Sequence, residues 1–344
     1  MLSPVFRLAL LLALVLAACV AATGYQSRSE GVAAAGSTAP ATTALQWDHA
    51  AIHLPEAWQY ARTQGQGVKV CSVDTGVATD NPAISPAIIA GTNTDDVTQS
   101  TAWADDNGHG TFVAGEIVAR GPELVGVAPK ASLLVAKVLD KTASGNDLGV
   151  SSGILWCVSQ RAQVLNISLG GQGGNAALGL RQTITWACTQ GVDIAIASGN
   201  AGTAGWASPN VPANVAAPCV IAVNALNRHG VMTNFSNYAE NRQSLDAPGQ
   251  GIAGYLGNSI AIGSGTSFSA PLVAGGLALL RGMGASSSEA VSYLLSNADN
   301  TARQVHLSKG KYRNIYGYGA LDVDAACRAY AEAHAKSAPR TETN

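Results

Sequence analysis

Charge is scarce in this chain. Only 12% of its 344 residues are Asp, Glu, Lys or Arg, against about 25% in an average soluble domain. The charges nearly cancel, with 20 basic and 22 acidic residues and a formal net charge of −2, so nothing in the balance attracts nucleic acid. The 47% apolar share excludes the polar, highly charged composition that keeps a chain disordered. The six cysteines show no CxxC spacing, and no metal site is read from them. No repeat period runs along the chain. The apolar run at residues 8–18 is too short to span a bilayer, which takes about 20 residues. What is present is enough apolar chain for a large core in one α/β domain.

Arg7 followed by that apolar run reads as an export signal over residues 1–18. The run ends Leu16-Ala17-Ala18-Cys19, which resembles a bacterial lipoprotein signal. The resemblance implies lipidation of Cys19 and anchoring at the cell envelope, at the outer membrane in a Gram-negative cell; plain secretion after cleavage near Ala21 or Ala22 is the alternative. The lipid would be the only membrane contact. Residues 19–45, mostly Ala, Ser, Thr and Gly, read as a flexible tether with an r.m.s. span of roughly 30 Å. Residues 46–330 form the expected folded domain, and 331–344 a polar tail.

Within that domain short β-branched runs alternate with longer helical patterns. Residues 68–73, 133–138, 163–167, 192–197 and 219–223 read as strands, and 110–119, 146–162 and 176–189 as helices. Several strands are apolar on both faces, as a sheet covered on each side requires. The alternation predicts a mostly parallel sheet in a three-layer α/β fold, with any active site at the carboxyl ends of the strands.

Four segments carry chemistry. Val73-Asp74-Thr75-Gly76 follows a strand; Asn107-Gly108-His109-Gly110-Thr111 opens a helix; Gly265-Thr266-Ser267-Phe268-Ser269-Ala270-Pro271 opens another; and Ala197-Ser198-Gly199-Asn200 ends a strand. A serine hydroxyl needs a base to attack at neutral pH, and histidine titrates in the right range. A carboxylate then orients the imidazole. The positive end of a helix beneath Ser267, together with the Asn200 amide, suits a developing oxyanion. Pro271 is placed in the first helical turn, where its missing N–H costs little. Other matches carry less. Gly149-Val150-Ser151-Ser152-Gly153 copies the nucleophile-elbow spacing but lies in a helical pattern. A lone Asp-Thr-Gly lacks the second carboxylate of an aspartic protease.

These blocks, in the order Asp74, His109, Ser267, resemble the subtilisin-type serine proteases. Residues 164–171, Gly126-Val127-Ala128-Pro129 and residues 318–323 match further landmarks, so the resemblance covers residues 47 to about 328. It implies a subtilisin-like fold and endopeptidase activity on polypeptides, with Ser267 as nucleophile, His109 as base and Asp74 as orienter. Asn200 and the Ser267 N–H would form the oxyanion hole. Ser168, Leu169 and Gly170 would pair with an extended peptide, and Ala197, Ser198 and Gly199 would line the first pocket. A monomer needing no cofactor for its chemistry is expected. Structural calcium is common in the family; Asp80, Asn81, Asp95, Asp96, Asp105 and Asp106 are chemical candidates without a matched pattern. Stretch 19–45 is too short for the folded prodomain of secreted members. Folding is therefore expected to need none or to borrow a helper, and the rivals are an inactive or helper-dependent binding protein and a processing protease dedicated to one partner.

Lipidation of Cys19 would leave five cysteines, an odd number. Cys71 lies in an apolar run and is expected as a buried free thiol. Cys157 and Cys188 end consecutive helical patterns and are expected to pair; Cys219 and Cys327 stay unassigned. The histidines at 49, 53, 229, 306 and 334 read as surface residues.

Overall fold

A computed structural model describes residues 24–26, 30–34, 46–172, 177–202, 210–238, 243–300 and 317–335. The signal and Cys19 therefore lie outside the described residues. The strands are β1 (Gly24–Gln26), β2 (Glu30–Ala34), β3 (Lys69–Asp74), β4 (Ile88–Asn93), β5 (Ser132–Lys137), β6 (Ser144–Asn146) and β7 (Val164–Ile167). They continue with β8 (Gly171–Gln172), β9 (Asp193–Ala197), β10 (Asn210–Val211), β11 (Val220–Leu226), β12 (Ser244–Pro248), β13 (Gln250–Leu256) and β14 (Ser259–Ser264). The helices are α1 (Trp47–Ala51), α2 (Leu54–Tyr60), α3 (His109–Val118), α4 (Asp147–Ser159), α5 (Ala177–Thr189), α6 (Thr266–Gly282), α7 (Ser287–Ser296) and α8 (Val323–Ala335).

Seven strands form one sheet in the order β12-β11-β9-β7-β3-β5-β4, and every pairing within it is parallel. Side chains alternate across it. Val70, Leu133, Ala195 and Ile221 join the helices α3, α6, α7 and α8 in one buried cluster. Cys71, Leu134, Ile194 and Ala222 join α4 and α5 on the other face. Both faces are thus apolar, the three-layer arrangement that the strand patterns predict. Antiparallel β13 and β14 form a separate hairpin whose end leads straight into α6.

Two strands arise in the stretch whose composition reads as a tether. β1 pairs antiparallel with β6, Tyr25 opposite Gly145. β2 pairs antiparallel with β14, Glu30 opposite Ser264. At the other end, α8 runs on to Ala335, into the expected polar tail. No helix among the described residues is long and apolar enough to cross a membrane.

The cysteine expectations are corrected. Cys71 is not a free thiol but is bonded to Cys157, and Cys188 pairs with Cys219 rather than with Cys157. The helices α4 and α5 do lie together, yet Cys157 points inward to the sheet face on which Cys71 sits. Closing a separation of 86 residues stabilises by about 4.6 kcal/mol in the loop-entropy account. Among the described residues Cys327 is the free thiol; it is buried, and its pKa is pushed up to about 12 mainly by burial.

Candidate active site

Asp74 ends β3 and is buried. Its Oδ1 accepts the Thr75 N–H at 2.7 Å and lies 2.7 Å from His109 Nδ1. His109 is the first residue of α3, beyond Gly108 with φ +103°, a left-handed conformation that glycine adopts readily. The helix start comes this close because residue 110 has no side chain: a Cβ there would lie 2.2 Å from Gly76 O. Burial depresses the imidazole pKa, but the Asp74 carboxylate outweighs it and the net shift is upward. His109 Nε2 has no hydrogen-bond partner among the described residues.

A second carboxylate, Asp105, sets this geometry. It accepts from the backbone N–H groups of Asn107, Gly108 and Thr111 and from the hydroxyls of Thr75 and Thr111. Thr75 Oγ1 in turn accepts the Gly110 N–H at 2.9 Å. The buried Lys137 ammonium donates to Thr75 O, Leu139 O and Asp106 Oδ1, bracing the same loop from β5. The sequence reading missed Thr75, Thr111 and Lys137 as site supports, because only their spatial convergence marks them.

Ser267 lies in the first turn of α6. Its hydroxyl donates to Ser168 O at 3.2 Å, while Ser168 Oγ donates to Ser267 O at 2.8 Å. The second bond has a cause in the sequence: Pro271 lacks the N–H that would reach back four residues to Ser267 O. Pro271 sits inside the helix, past the first turn, which corrects the placement expected for it. Asn200 Oδ1 accepts from Thr266 N and Thr266 Oγ1, each at 2.9 Å. With its oxygen so fixed, its amide nitrogen faces Gly265, where a Cβ would lie 3.2 Å away.

The structure therefore holds Asp74 against His109, and Ser168 and Asn200 against the start of α6, at the carboxyl ends of β3, β7 and β9, with the His109 ring 5.7 Å from that of Phe268, the residue after Ser267. The other expected contacts divide. Gly170 is partly exposed, whereas Leu169 and Ala197 bury their side chains in the two cores. Ser198 Oγ donates to Asn237 O at 2.8 Å, and Gly199 N–H donates to Thr266 Oγ1 at 3.1 Å. Residues 144–146, an edge the sequence reading did not single out, carry β1, which also contacts β8 just beyond Gly170.

The six calcium candidates do not converge: among the described residues no three of their carboxylates come together. Asp105 is saturated with donors, Asp106 faces Lys137, Asp96 accepts from Thr98 and Gln99, and Asp80 accepts from Asn258. Asn81 binds Gly257 O and two backbone N–H groups. Burial, assisted by Asp140, raises the Asp95 pKa. His49, expected at the surface, is buried instead.

Comparison with known proteins agrees with this geometry. Residues 65–319 match the family described as the subtilase family. The chain is 35% identical over 264 residues to thermitase of Thermoactinomyces vulgaris, covering 76% of this chain and 90% of that protein. It is 37% identical over 235 residues to an intracellular serine protease of Paenibacillus polymyxa, covering 67% and 71%. It is 32% identical over 305 residues to subtilisin E of Bacillus subtilis, covering 84% and 76%. Such a match over most of the chain places it in a family of serine peptidases whose chemistry needs no cofactor: the protein belongs to the subtilase family.

Proposed function

We propose that the chain is a serine endopeptidase acting on polypeptides outside the cytoplasm. The observation that carries this reading is the 2.7 Å contact between Asp74 and His109, beside a helix opened by a serine that Ser168 pins in place. His109 keeps a proton on Nδ1 against Asp74 and offers Nε2 as base. Ser267 Oγ turns from Ser168 O, gives its proton to Nε2 and attacks the scissile carbonyl carbon, whose π pair moves to oxygen. The Asn200 amide and the Ser267 N–H hold that oxyanion. Collapse breaks the C–N bond, and the departing amine takes the proton from Nε2. Water then repeats the sequence on the acyl-serine, with His109 again as base, releasing the acid. Asp74 orients the imidazole and stabilises the imidazolium.

A peptide would add as a strand along Ser168, Leu169 and Gly170. With Ala197, Ser198 and Gly199 at the first pocket, apolar or mixed side chains suit it better than Lys or Arg. The relatives' names include an intracellular protease, so family membership does not choose the compartment. Two disulfides support an oxidising one, as does the signal-like start with Cys19 as lipid acceptor. Replacing Cys19 by Ser is expected to abolish palmitate labelling and move the protein from the membrane to the soluble fraction.

One observation favours a second reading, a site that is closed until helped. The chain's own β1 occupies the β6 edge, and the Ser267 hydroxyl is turned to Ser168 O rather than to His109. A fluorophosphonate probe, applied to the full chain and to one beginning at residue 46, separates the two. Labelling of both at Ser267, lost in Ser267→Ala, supports an open peptidase. Labelling of the short form alone supports a closed one. A folded chain that labels in neither form overturns the endopeptidase reading.

A further inference from the structure

Away from the active site, α1 meets α3 at a cluster of buried groups that the proposed chemistry does not use. Asp48 is fully buried, Glu116 is 2% exposed and His49 is 7% exposed. One donor atom from each of the three lies within 4.8 Å of the others, and His49 Nε2 is 3.6 Å from Asp48 Oδ2. The Glu116 carboxyl and the backbone N–H groups of Asp48 and His49 approach the Asp48 carboxyl, but neither Asp48 oxygen nor Glu116 Oε2 has a partner in full hydrogen-bonding geometry. Among the described residues neither carboxylate pairs with Lys or Arg.

Two carboxylates cannot stay charged and unpaired in a core. A proton between them would settle one contact only. Gln46 shows why a second proton does not settle the rest. Its side chain is clamped on Val125, accepting from N at 3.0 Å and donating to O at 2.8 Å. The same amide nitrogen lies 3.3 Å from His49 Nε2, so its remaining N–H points at that ring nitrogen and keeps it unprotonated. The Nε2 lone pair accepts only this long contact and lies 3.6 Å from Asp48 Oδ2. One cation among the three donors would answer the carboxylate lone pairs and take over the imidazole lone pair from that long contact.

We propose that Asp48, His49 and Glu116 bind one divalent transition-metal ion of the Zn²⁺ class, fastening α1 to the helix that carries His109. A nitrogen ligand with two carboxylates suits zinc, whereas calcium takes six to eight oxygens. Tetrahedral zinc sets its ligands roughly 3.4 Å apart. The Asp48–His49 pair is already near that spacing, and all three donors lie within 4.8 Å of one another.

The test uses the full chain, stripped with chelator and then titrated with Zn²⁺ and with Co²⁺ as a visible probe. Metal content is read after desalting, so the readout is independent of peptidase activity. The expected result is one retained equivalent per chain and a Co²⁺ absorption band, both persisting in His109→Ala, where the other buried histidine is gone. Glu116→Gln, close in shape, is expected to keep native circular dichroism and to bind at least about 100-fold more weakly, since even outer-shell losses cost 10–100-fold. Asp48→Asn gives the same comparison from α1. Three results would overturn the proposal: no retained equivalent, equal retention in Glu116→Gln, or loss of the ion in His109→Ala.

Discussion

Two aspartates on one sheet have opposite fates. Asp74 sits at the carboxyl end of β3 and Asp193 at the amino end of β9, and both are buried. Asp74 Oδ1 takes a backbone N–H and the His109 imidazole, each at 2.7 Å. Asp193 has the Ser287 hydroxyl on one oxygen, while Arg281 Nε stays 3.7 Å from the other. Burial wins there: it lifts the Asp193 pKa to about 7 against the opposing pull of Ser287 and Arg281. Burial alone thus does not decide what a carboxylate does in this core; the number and aim of its donors do. The carboxyl ends of the strands hold an ion pair set for chemistry, and the amino ends hold an acid that neutral pH can discharge.

The largest effect comes from breaking the Asp74 side of this contrast. Asp74→Asn keeps the shape but fixes the wrong imidazole tautomer, and kcat is expected to fall about 10⁴-fold with little change in melting temperature. Without the Asp74 carboxylate, burial of His109 is opposed only by the smaller pull of Asp105, so whatever rate remains is expected to show its pH inflection below the wild-type one, which lies above the ordinary imidazole value. Steady-state kinetics across pH measures both. A loss under tenfold would remove Asp74 from the role of orienter.

Breaking the Asp193 side changes stability rather than rate. Its folded pKa of about 7 exceeds the unfolded value of about 3.9. Its contribution is therefore complete below about pH 4 and is lost as pH rises through 7. Asp193→Asn has no such loss. Relative to wild type it is expected to gain roughly 3 kcal/mol between pH 5 and pH 9, read by urea unfolding in a Ser267→Ala background that prevents self-digestion. Parallel pH profiles for the two proteins would show that Asp193 does not titrate in the folded state.

The two aspartates also differ in how far sequence reveals them. Asp74, His109, Ser267 and Asn200 each stand where a strand ends or a helix begins, so local pattern alone puts them at one rim of the sheet. The sheet itself is legible because its strands are apolar on both faces. Asp193 opens a strand just as Asp74 closes one, yet what surrounds it comes from Arg281 and Ser287, roughly ninety residues away. Asp48 and Glu116 are hidden for the same reason. The cysteines failed on orientation: helix adjacency was read correctly for Cys157 and Cys188, but which way each Cβ points depends on the sheet beneath. The pairing of β1 and β2 was invisible because runs as short as Gly-Tyr-Gln and Glu-Gly-Val-Ala-Ala carry no strand pattern, and their partners are edges that only the folded domain creates.

A smaller substitution sharpens the contrast by removing the one hydroxyl that binds Asp193. Ser287 begins α7, but the helix is capped by its neighbour, Ser286, in a reciprocal box with Glu289. Ser287→Ala therefore deletes the bond to Asp193 and leaves the cap in place. A hydrogen bond to a charged group is worth about 1.5–3 kcal/mol and a neutral one about 0.5–1.5. The variant is expected to lose about 1 kcal/mol more at pH 9, where Asp193 is ionised, than at pH 5, where it is protonated. Ser286→Ala is the control. It removes a cap worth about 1 kcal/mol, and its cost should be the same at both pH values, since Glu289, whose pKa its bonds to Ser286 hold below the ordinary value, is ionised throughout. A pH-independent cost for Ser287→Ala as well would mean that the hydroxyl does not distinguish the two forms of Asp193, and that desolvation alone governs that end of the sheet.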